Sequence, residues 1–314
     1  MKKLLLILTI LAISIANGQF APAAGKTGST AIKADSSCFV NWASECTVKR
    51  GLAQINLADS GYASVGTSNA AIGPALKNGI VSLGDGGSAV LYFNPPIEDQ
   101  NGFDFAIFEN AFLDTFLEFA HVEVSNDKTN WIKFPSVSLT QTTKQVEPFG
   151  YTYPERISNL AGKYKMPYGV PFDLAELKDS QHYKTTFQYV RITDVVGSIN
   201  PTLGSKDSKG NMINEPWPTP FASSGFDLDA VGVINQSAIT NLNHIANNPF
   251  FHYNQDIQTL FFAIPLNETV AIFGSCGNLV YQQKISSNQL EVPQNLSKGV
   301  YFLNCSFGTF KFFN

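Results

Sequence analysis

The chain is divided into short apolar runs by the turn-forming residues glycine, proline and asparagine. This spacing of turn residues constrains its fold more than any other feature. Between residues 79 and 233 each run has four to ten residues and is rich in Val, Ile, Phe and Tyr. Such runs, separated by turn residues and without helical period, are typical of β-strands. The runs are 79–83, 88–93, 103–108, 117–125, 131–134, 187–196 and 225–233. The sequence therefore predicts an all-β domain.

Two segments, 157–163 and 172–178, are exceptions, and each is expected to form a turn or two of helix. Asp173 would suit the first turn of the second segment, because a negative charge is favoured at a helix N-terminus. Neither segment is long enough to change the predicted fold class.

The last 67 residues repeat the strand pattern on a smaller scale. Alternating runs at 258–265, 268–274 and 279–285 are followed by 296–303 and a closing strand to Asn314, with a turn at 275–278. This spacing predicts a second, small β-sandwich. We expect a main domain over 19–236, a linker over 237–247 and a C-terminal domain over 248–314.

The N-terminus has the pattern of a cleaved signal peptide over 1–18. Two lysines follow Met1, an apolar stretch runs over 4–15, and small residues stand at 16–18. The apolar stretch is too short to span a bilayer. We therefore expect a mature chain that begins at Gln19 and is exported.

The four cysteines fit an oxidising compartment. Cys38 and Cys46 are close in sequence, and Cys276 and Cys305 both lie in the tail. Pairing within each region is the simplest of three connectivities, and free thiols remain an alternative. The spacing does not favour a metal site built from these cysteines.

The charge pattern excludes one large class of partner. The net charge is −4 and charged residues make up only 15% of the chain, with no basic patch. Nucleic acid is therefore a poor candidate.

Strand parity draws attention to carboxylates on apolar faces. Glu109 shares a face with Phe105 and Ile107, and Asp229 shares one with Val231. A buried carboxylate cannot stay ionised without a partner, so these acids are expected to lie at strand ends, to accept backbone hydrogen bonds, or to meet a cation. The cation would be Arg191 or a calcium ion. The predicted calcium ligands are Asp104, Glu109, Asp227 and Asp229. The alternative is that such acids cap turns and pair with Arg191, Arg156 or Lys163.

Aromatic residues on proline-stiffened loops form the predicted ligand-binding set. Rigid rings on loops can stack against sugars or other flat ligands at low entropic cost. The set consists of Trp217, Phe221, Tyr151, Tyr153 and Tyr168. The alternative is that these rings plug the ends of the sandwich.

Familiar catalytic signatures do not occur in the sequence. The four histidines form no His-Glu-x-x-His pattern, and there is no Gly-x-Ser-x-Gly or P-loop motif. Glycoside hydrolysis needs only two carboxylates, so Glu109, Asp227 and Asp229 leave that reaction open. We expect a protein without catalytic activity, with a polysaccharide hydrolase as the alternative.

The tail resembles the type A C-terminal sorting domain of the type IX secretion system of Bacteroidetes. The resemblance rests on Asn248–Pro249, on ETVAIFGSCGNLVYQQ and on NLSKGVYFLNCSFGTFKFF. One departure is Phe273-Gly274, where the family usually has a Tyr-Asp-like pair. The resemblance implies export by the type IX machinery and a place on the cell surface or in the medium.

Residues 20–235 resemble a family of bacterial cell surface proteins. The shared pieces are VSLGDGGSAVLYF, DFAIFENAF, FAHVEVSNDKTNWIKFP, NLAGKY with YGVPFDLAEL, YVRITDVVG and SGFDLDAVGVIN, in this order. Some also resemble the galactose-binding-like jelly roll of carbohydrate-binding modules, in which calcium often sits at a sandwich edge. The resemblance implies a jelly-roll-like sandwich that recognises a glycan or another nutrient. An outer-membrane receptor is a further expected partner. A third interpretation is that the chain is an adhesive or structural surface protein.

Overall fold

The computed structural model describes residues 20–237, 251–275 and 277–314. The predicted signal peptide, nearly all of the predicted linker, the Asn248–Pro249 motif and Cys276 lie outside these ranges. The chain divides into two compact units, Met1–Ala238 and Ile239–Asn314. No helix in the described ranges is long and apolar enough to cross a membrane.

The larger unit is built from two antiparallel sheets, and the predicted all-β class is confirmed. Its strands are β1 (Ile32–Lys33), β2 (Asn41–Trp42), β3 (Glu45–Lys49), β4 (Val81–Ser82), β5 (Ser88–Glu98), β6 (Phe105–Glu109), β7 (Ala120–Ser125), β8 (Ile132–Lys133), β9 (Val137–Ser138), β10 (Ile157–Ser158), β11 (Tyr168–Phe172), β12 (Thr186–Asp194) and β13 (Asp227–Val233). The first sheet has the order β1-β11-β6-β13-β2, and β4 also pairs with β13. The second sheet has the order β3-β5-β12-β7-β8, and β9 and β10 form a separate pair.

The main core lies where the two sheets face each other. Alternate residues of β5 point inward, so that Leu91 and Phe93 are fully buried. In β6 the parity expectation is confirmed, because Phe105 and Ile107 join the same core. The opposite face of β6 is also covered, since Phe108 packs against residues of the chain that precede β4. This first sheet is therefore buried on both faces around β6 and β13.

One of the two predicted helical segments forms and the other does not. A 3₁₀ turn at Leu174–Leu177 is capped by Asp173, whose carboxylate accepts a hydrogen bond from Ala175 N at 2.8 Å. The prediction for 157–163 was wrong, since Ile157–Ser158 is strand β10. Asn159 then has a φ of 52°, which stops a right-handed helix from propagating.

The smaller unit is a five-stranded antiparallel sheet that curls over its own core. Its strands are β14 (Phe251–Asn254), β15 (Thr259–Gly274), β16 (Leu279–Glu291), β17 (Val300–Cys305) and β18 (Gly308–Phe313). The runs 258–265 and 268–274 join into the single strand β15, although its ladder with β16 is interrupted between Phe261 and Leu266, around Pro265. One cluster that includes Leu260 and Ile272 connects both halves of β15.

The predicted disulfide between Cys38 and Cys46 is not formed. Cys38 precedes β2 of the first sheet, whereas Cys46 is on β3 of the second sheet, and both are free thiols. Cys46 packs against the main core, and burial raises the pKa of its thiol to about 12. Cys305 on β17 is also free, and its predicted partner Cys276 is outside the described residues.

Candidate functional site

The four residues predicted to bind calcium are divided among three places. Asp104 and Glu109 flank opposite ends of β6, roughly 16 Å apart along a strand that rises about 3.3 Å per residue. Asp229 lies at an irregularity of β13, where its carboxylate accepts a hydrogen bond from Leu76 N at 2.9 Å. Asp227 shares a cavity with Glu109, and the charge of Asp229 reaches Glu109 only as a weaker contribution to its raised pKa. The four side chains therefore do not form one calcium-binding set.

Asp104 belongs to an acidic group with Asp99 and Asp173. Within the described residues, this is the one group of three carboxylates that places an oxygen of each within 4.8 Å of the others. Backbone N–H groups donate to Asp104 and to Asp173, in each case at 2.8 Å. The ammonium of Lys178 lies 3.0 Å from Asp99. These hydrogen bonds and this ion pair connect the three carboxylates to the surrounding loops.

Glu109 and Asp227 face a cavity of about 190 Å³, and a third carboxylate, Glu118, faces it with them. Glu109 pairs with Leu228 across β6 and β13, so it is a neighbour of Asp227 at one end of the first sheet. Glu118 comes two residues before β7 and reaches the cavity from the second sheet. The cavity therefore lies at one end of the sandwich, with acids from both sheets.

The hydrogen bonding of these three carboxylates is unequal. Glu109 accepts a hydrogen bond from Ala111 N at 2.8 Å, and Asp227 accepts one from the Ser82 hydroxyl. Glu118 has no hydrogen-bond or ion-pair partner among the described residues. Only 9% of its surface is exposed, but its carboxylate oxygens are open to the cavity and are not among the fully buried unpaired atoms. The described lining of the cavity contains no Lys, Arg or His. A buried carboxylate in this position is expected to hold a proton or to meet a positive or hydrogen-bonding ligand.

The pKa values of the three acids follow from this environment. Burial raises the pKa of Glu118 well above its ordinary value, and the charge of Glu109 raises it further. Burial also raises the pKa of Glu109 well above its ordinary value, and the charge of Asp227 raises it further. Burial also raises the pKa of Asp227 to about 6, although the Ser82 hydrogen bond and the charge of Arg50 oppose the change. Raised carboxylate pKa values in a cleft are a property of many functional sites.

Behind the cavity lie three more buried acids that do have donors. Asp194 accepts hydrogen bonds from Gly86 N (2.9 Å) and Phe226 N (2.7 Å). Glu215 accepts one from a backbone N–H at 2.6 Å. Asp85 accepts one from a backbone N–H at 2.8 Å. Asp194 and Asp85 raise the pKa of Glu118 through their charge. The oxygens of all three acids accept hydrogen bonds that hold the backbone in place.

The predicted ligand-binding rings are distributed over different surroundings. Phe221 lines the acidic cavity. Tyr151 and Tyr153 line a separate cavity of about 320 Å³. Tyr168 is on β11 and packs against the main core. Trp217 is half-buried, and its indole N–H donates a hydrogen bond to Asp85 at 3.0 Å.

Four phenylalanine rings line the acidic cavity, and only Phe221 among them belongs to the predicted ligand-binding set. The ring centroids of Phe149 and Phe221 are 5.9 Å apart, and those of Phe116 and Phe149 are 6.4 Å apart. Phe149 is 74% exposed and Phe112 is 68% exposed. Such exposure of large apolar side chains at a cavity mouth is typical of a binding surface.

Arg191 does not pair with any of the acids for which it was the expected partner. It donates to Glu123 at 2.6 Å and lies 4.2 Å from the ring centroid of Trp131. Its neighbours Val190 and Ile192 point into the core, so Arg191 is on the outer face of the second sheet. Lys163 likewise donates to a backbone carbonyl, that of Ile157, at 2.7 Å. Arg191 is therefore not the partner of Glu109 or Asp229, and the alternative of backbone hydrogen bonds applies to both acids, from Ala111 N and Leu76 N.

We expect the Asp227→Asn variant to gain stability relative to the wild type as the pH rises from about 4 to about 6. The folded pKa of Asp227, about 6, exceeds its ordinary value of 3.8, so the stabilisation is present at low pH and is lost as the acid ionises. The shift corresponds to at most about 3 kcal/mol. Urea unfolding at a series of pH values measures the difference.

The control for this experiment is Asp59→Asn, which removes an exposed carboxylate. Its stability relative to the wild type should change little over the same pH interval. A difference between Asp227→Asn and the wild type that stays constant from pH 4 to pH 7 would contradict the assigned environment of Asp227.

Comparison with known proteins adds no further constraint on the site. No family model matches the chain, and a search of the curated proteins found no match. The fold and the cavity of Glu109, Glu118 and Asp227 therefore carry the functional argument.

Proposed function

We propose that the larger unit is a non-catalytic binding module that takes a small nutrient or the end of a glycan into the acidic cavity. The observation that carries this proposal is Glu118, which is buried, faces the cavity and lacks a partner among the described residues. A carboxylate in that state gains most from a ligand that donates hydrogen bonds or brings positive charge.

The rings at the cavity mouth support the same proposal. Phe149 and Phe221 are exposed and lie tilted against each other, and a sugar ring or another flat ligand could stack on them. Glu109 and Asp227 lie deeper and have free acceptor capacity for ligand hydroxyl groups. The volume of about 190 Å³ fits one end of a ligand better than a whole oligosaccharide, since sites for drug-sized molecules usually exceed about 300 Å³.

Screening the full chain against glycans and small nutrients tests this proposal. A compound that binds the wild type should bind Phe221→Ala and Glu118→Gln roughly tenfold more weakly, which corresponds to about 1.4 kcal/mol. Phe103→Ala is the matched control, because Phe103 is a partly exposed ring just before the opposite end of β6. Binding that is unchanged in both cavity variants would contradict the proposed site.

A polysaccharide hydrolase is the second candidate, and the raised pKa values of Glu109 and Glu118 favour it. A general acid needs a carboxyl group that stays protonated near neutral pH, and a second carboxylate must face the same cleft. Release of reducing ends from polysaccharides would identify this activity. Loss of that release in Glu109→Gln, with binding retained, would assign the acid.

The proposal includes export, with the smaller unit as the sorting signal of the type IX system. Deletion of residues 248–314 is expected to leave the protein in the periplasm, because it removes the proposed sorting signal while the core of the larger unit stays intact. Protease accessibility on intact cells measures the location. Undiminished surface display of the truncated chain would contradict the role of the tail.

A further inference from the structure

The acidic cavity combines two features that favour the same chemical group. Its floor has the carboxylates of Glu109, Glu118 and Asp227, and the described lining offers no basic side chain to balance them. Its mouth has phenylalanine rings, of which Phe149 and Phe221 are in contact and exposed. Carboxylates attract any cation, whereas aromatic faces attract cations that are weakly hydrated.

The burial of Glu118 and its lack of a protein partner distinguish the cavity from an ordinary acidic surface patch. Its side chain is nine-tenths buried, faces the cavity and has no hydrogen-bond or ion-pair partner among the described residues. The Arg50 guanidinium, which acts on Asp227, is already held by backbone carbonyls, including that of Gly66 at 2.7 Å. A positive ligand group would therefore supply what the protein around Glu118 does not.

The spacing of the acids favours an organic cation over a bare metal ion. In the described part of the chain, the carboxylate oxygens of Glu109, Glu118 and Asp227 do not all come within 4.8 Å of one another. A calcium ion holds its oxygen ligands at about 2.4 Å and would need them closer together. A substituted ammonium group is larger, and its alkyl or sugar body would also cover the phenylalanine rings.

We propose that the cavity selects ligands whose buried end carries an ammonium group, primary or quaternary. This inference rests on the proposed binding function and specifies the class of ligand for that site. The ammonium group lies among the three carboxylates, and the Phe149–Phe221 pair covers its uncharged substituents. The cavity of about 190 Å³ is smaller than the sites of drug-sized ligands, which usually exceed about 300 Å³, so it suits a head group and not a whole ligand.

Two matched pairs of compounds test the inference on the full chain. Choline is compared with 3,3-dimethylbutan-1-ol, its uncharged isostere, and glucosamine is compared with N-acetylglucosamine. Isothermal titration at pH 8 should show binding of at least one ammonium compound, roughly tenfold tighter than its neutral partner. The comparison within each pair requires no variant, so it does not depend on how a substitution affects folding.

Variants then locate the effect. Glu118→Gln and Phe221→Ala should each weaken binding of the ammonium compound roughly tenfold, while the exposed-acid control Asp59→Asn should leave it unchanged. Equal binding within both pairs, or no binding of either ammonium compound, would overturn the inference. Calcium binding that depends on Glu118, without ammonium binding, would also overturn it.

The experiments distinguish a failure of the ammonium specificity from a failure of the proposed binding site. A neutral screening ligand that loses affinity in Glu118→Gln and Phe221→Ala leaves the binding site in place and overturns only the ammonium specificity. A ligand whose affinity is unchanged in both variants overturns the site itself, and the ammonium inference with it.

Discussion

Replacing Gly87 by alanine is expected to destabilise the larger unit by about 3 kcal/mol or more. A Cβ on Gly87 would lie 1.9 Å from the carbonyl oxygen of Leu83 and 2.6 Å from the backbone N of Gly51. Both obstacles are backbone atoms, which cannot rotate away as a side chain could. The turn between β4 and β5 would have to open, and the melting temperature should fall by roughly 6–12 °C.

Gly86→Ala is the matched control, one residue earlier in the same turn. Gly86 has a φ of 67°, but a Cβ there would have no atom closer than 3.8 Å. Its substitution should therefore add only the strain of a left-handed residue, about 1–2 kcal/mol. Equal destabilisation by the two variants would show that the close approach of Gly87 to the backbone is not the limiting contact.

Asp194→Ala is expected to destabilise the larger unit by about 2–4 kcal/mol. The carboxylate accepts hydrogen bonds from Gly86 N and Phe226 N, and its removal leaves both N–H groups without an acceptor. The loss is partly offset because a buried acid with a raised pKa is removed as well. Urea unfolding measures the free energy, and amide hydrogen exchange should accelerate at residues 86 and 226.

Asp194→Asn separates the two contributions. The amide keeps one acceptor oxygen, so one of the two backbone N–H groups stays paired, and an intermediate loss of stability is expected. A stabilised Asp194→Ala variant would contradict the account, because it would mean that desolvation of the acid outweighs its hydrogen bonds.

The fold was largely predictable because strand signals are local. Alternation placed Phe105 and Ile107 on the face of β6 that joins the main core, and glycine marked the turn before β5. The same parity rule applied to β12 would have put Arg191 outside, since Val190 and Ile192 point inward. Charge complementarity alone does not identify the partner of Glu109, which is the backbone N–H of Ala111.

The cavity was only partly predictable, because its members come from different sheets. Glu109 and Asp227 could be singled out as acids on apolar strands. The alternation of a strand predicts which face of the sheet a side chain occupies, but not how deeply it is buried. The signal for Glu118 was present, since it stands between Leu117 and Phe119, both fully buried. Sequence spacing could not show that this acid and β13 meet at one end of the sandwich, and it gave no reason to choose Phe149 over Tyr151.

The central claim is that Glu118 is held buried and without a protein partner so that a ligand can use it. The most direct test is a ¹³C NMR titration of the side-chain carboxyl of Glu118 in the full chain, assigned by the resonance that disappears in Glu118→Gln. The account predicts a pKa well above the usual value for Glu in the free protein, and a decrease once a ligand that binds the cavity is added. Titration near the ordinary value of about 4.3, unchanged by that ligand, would contradict the account.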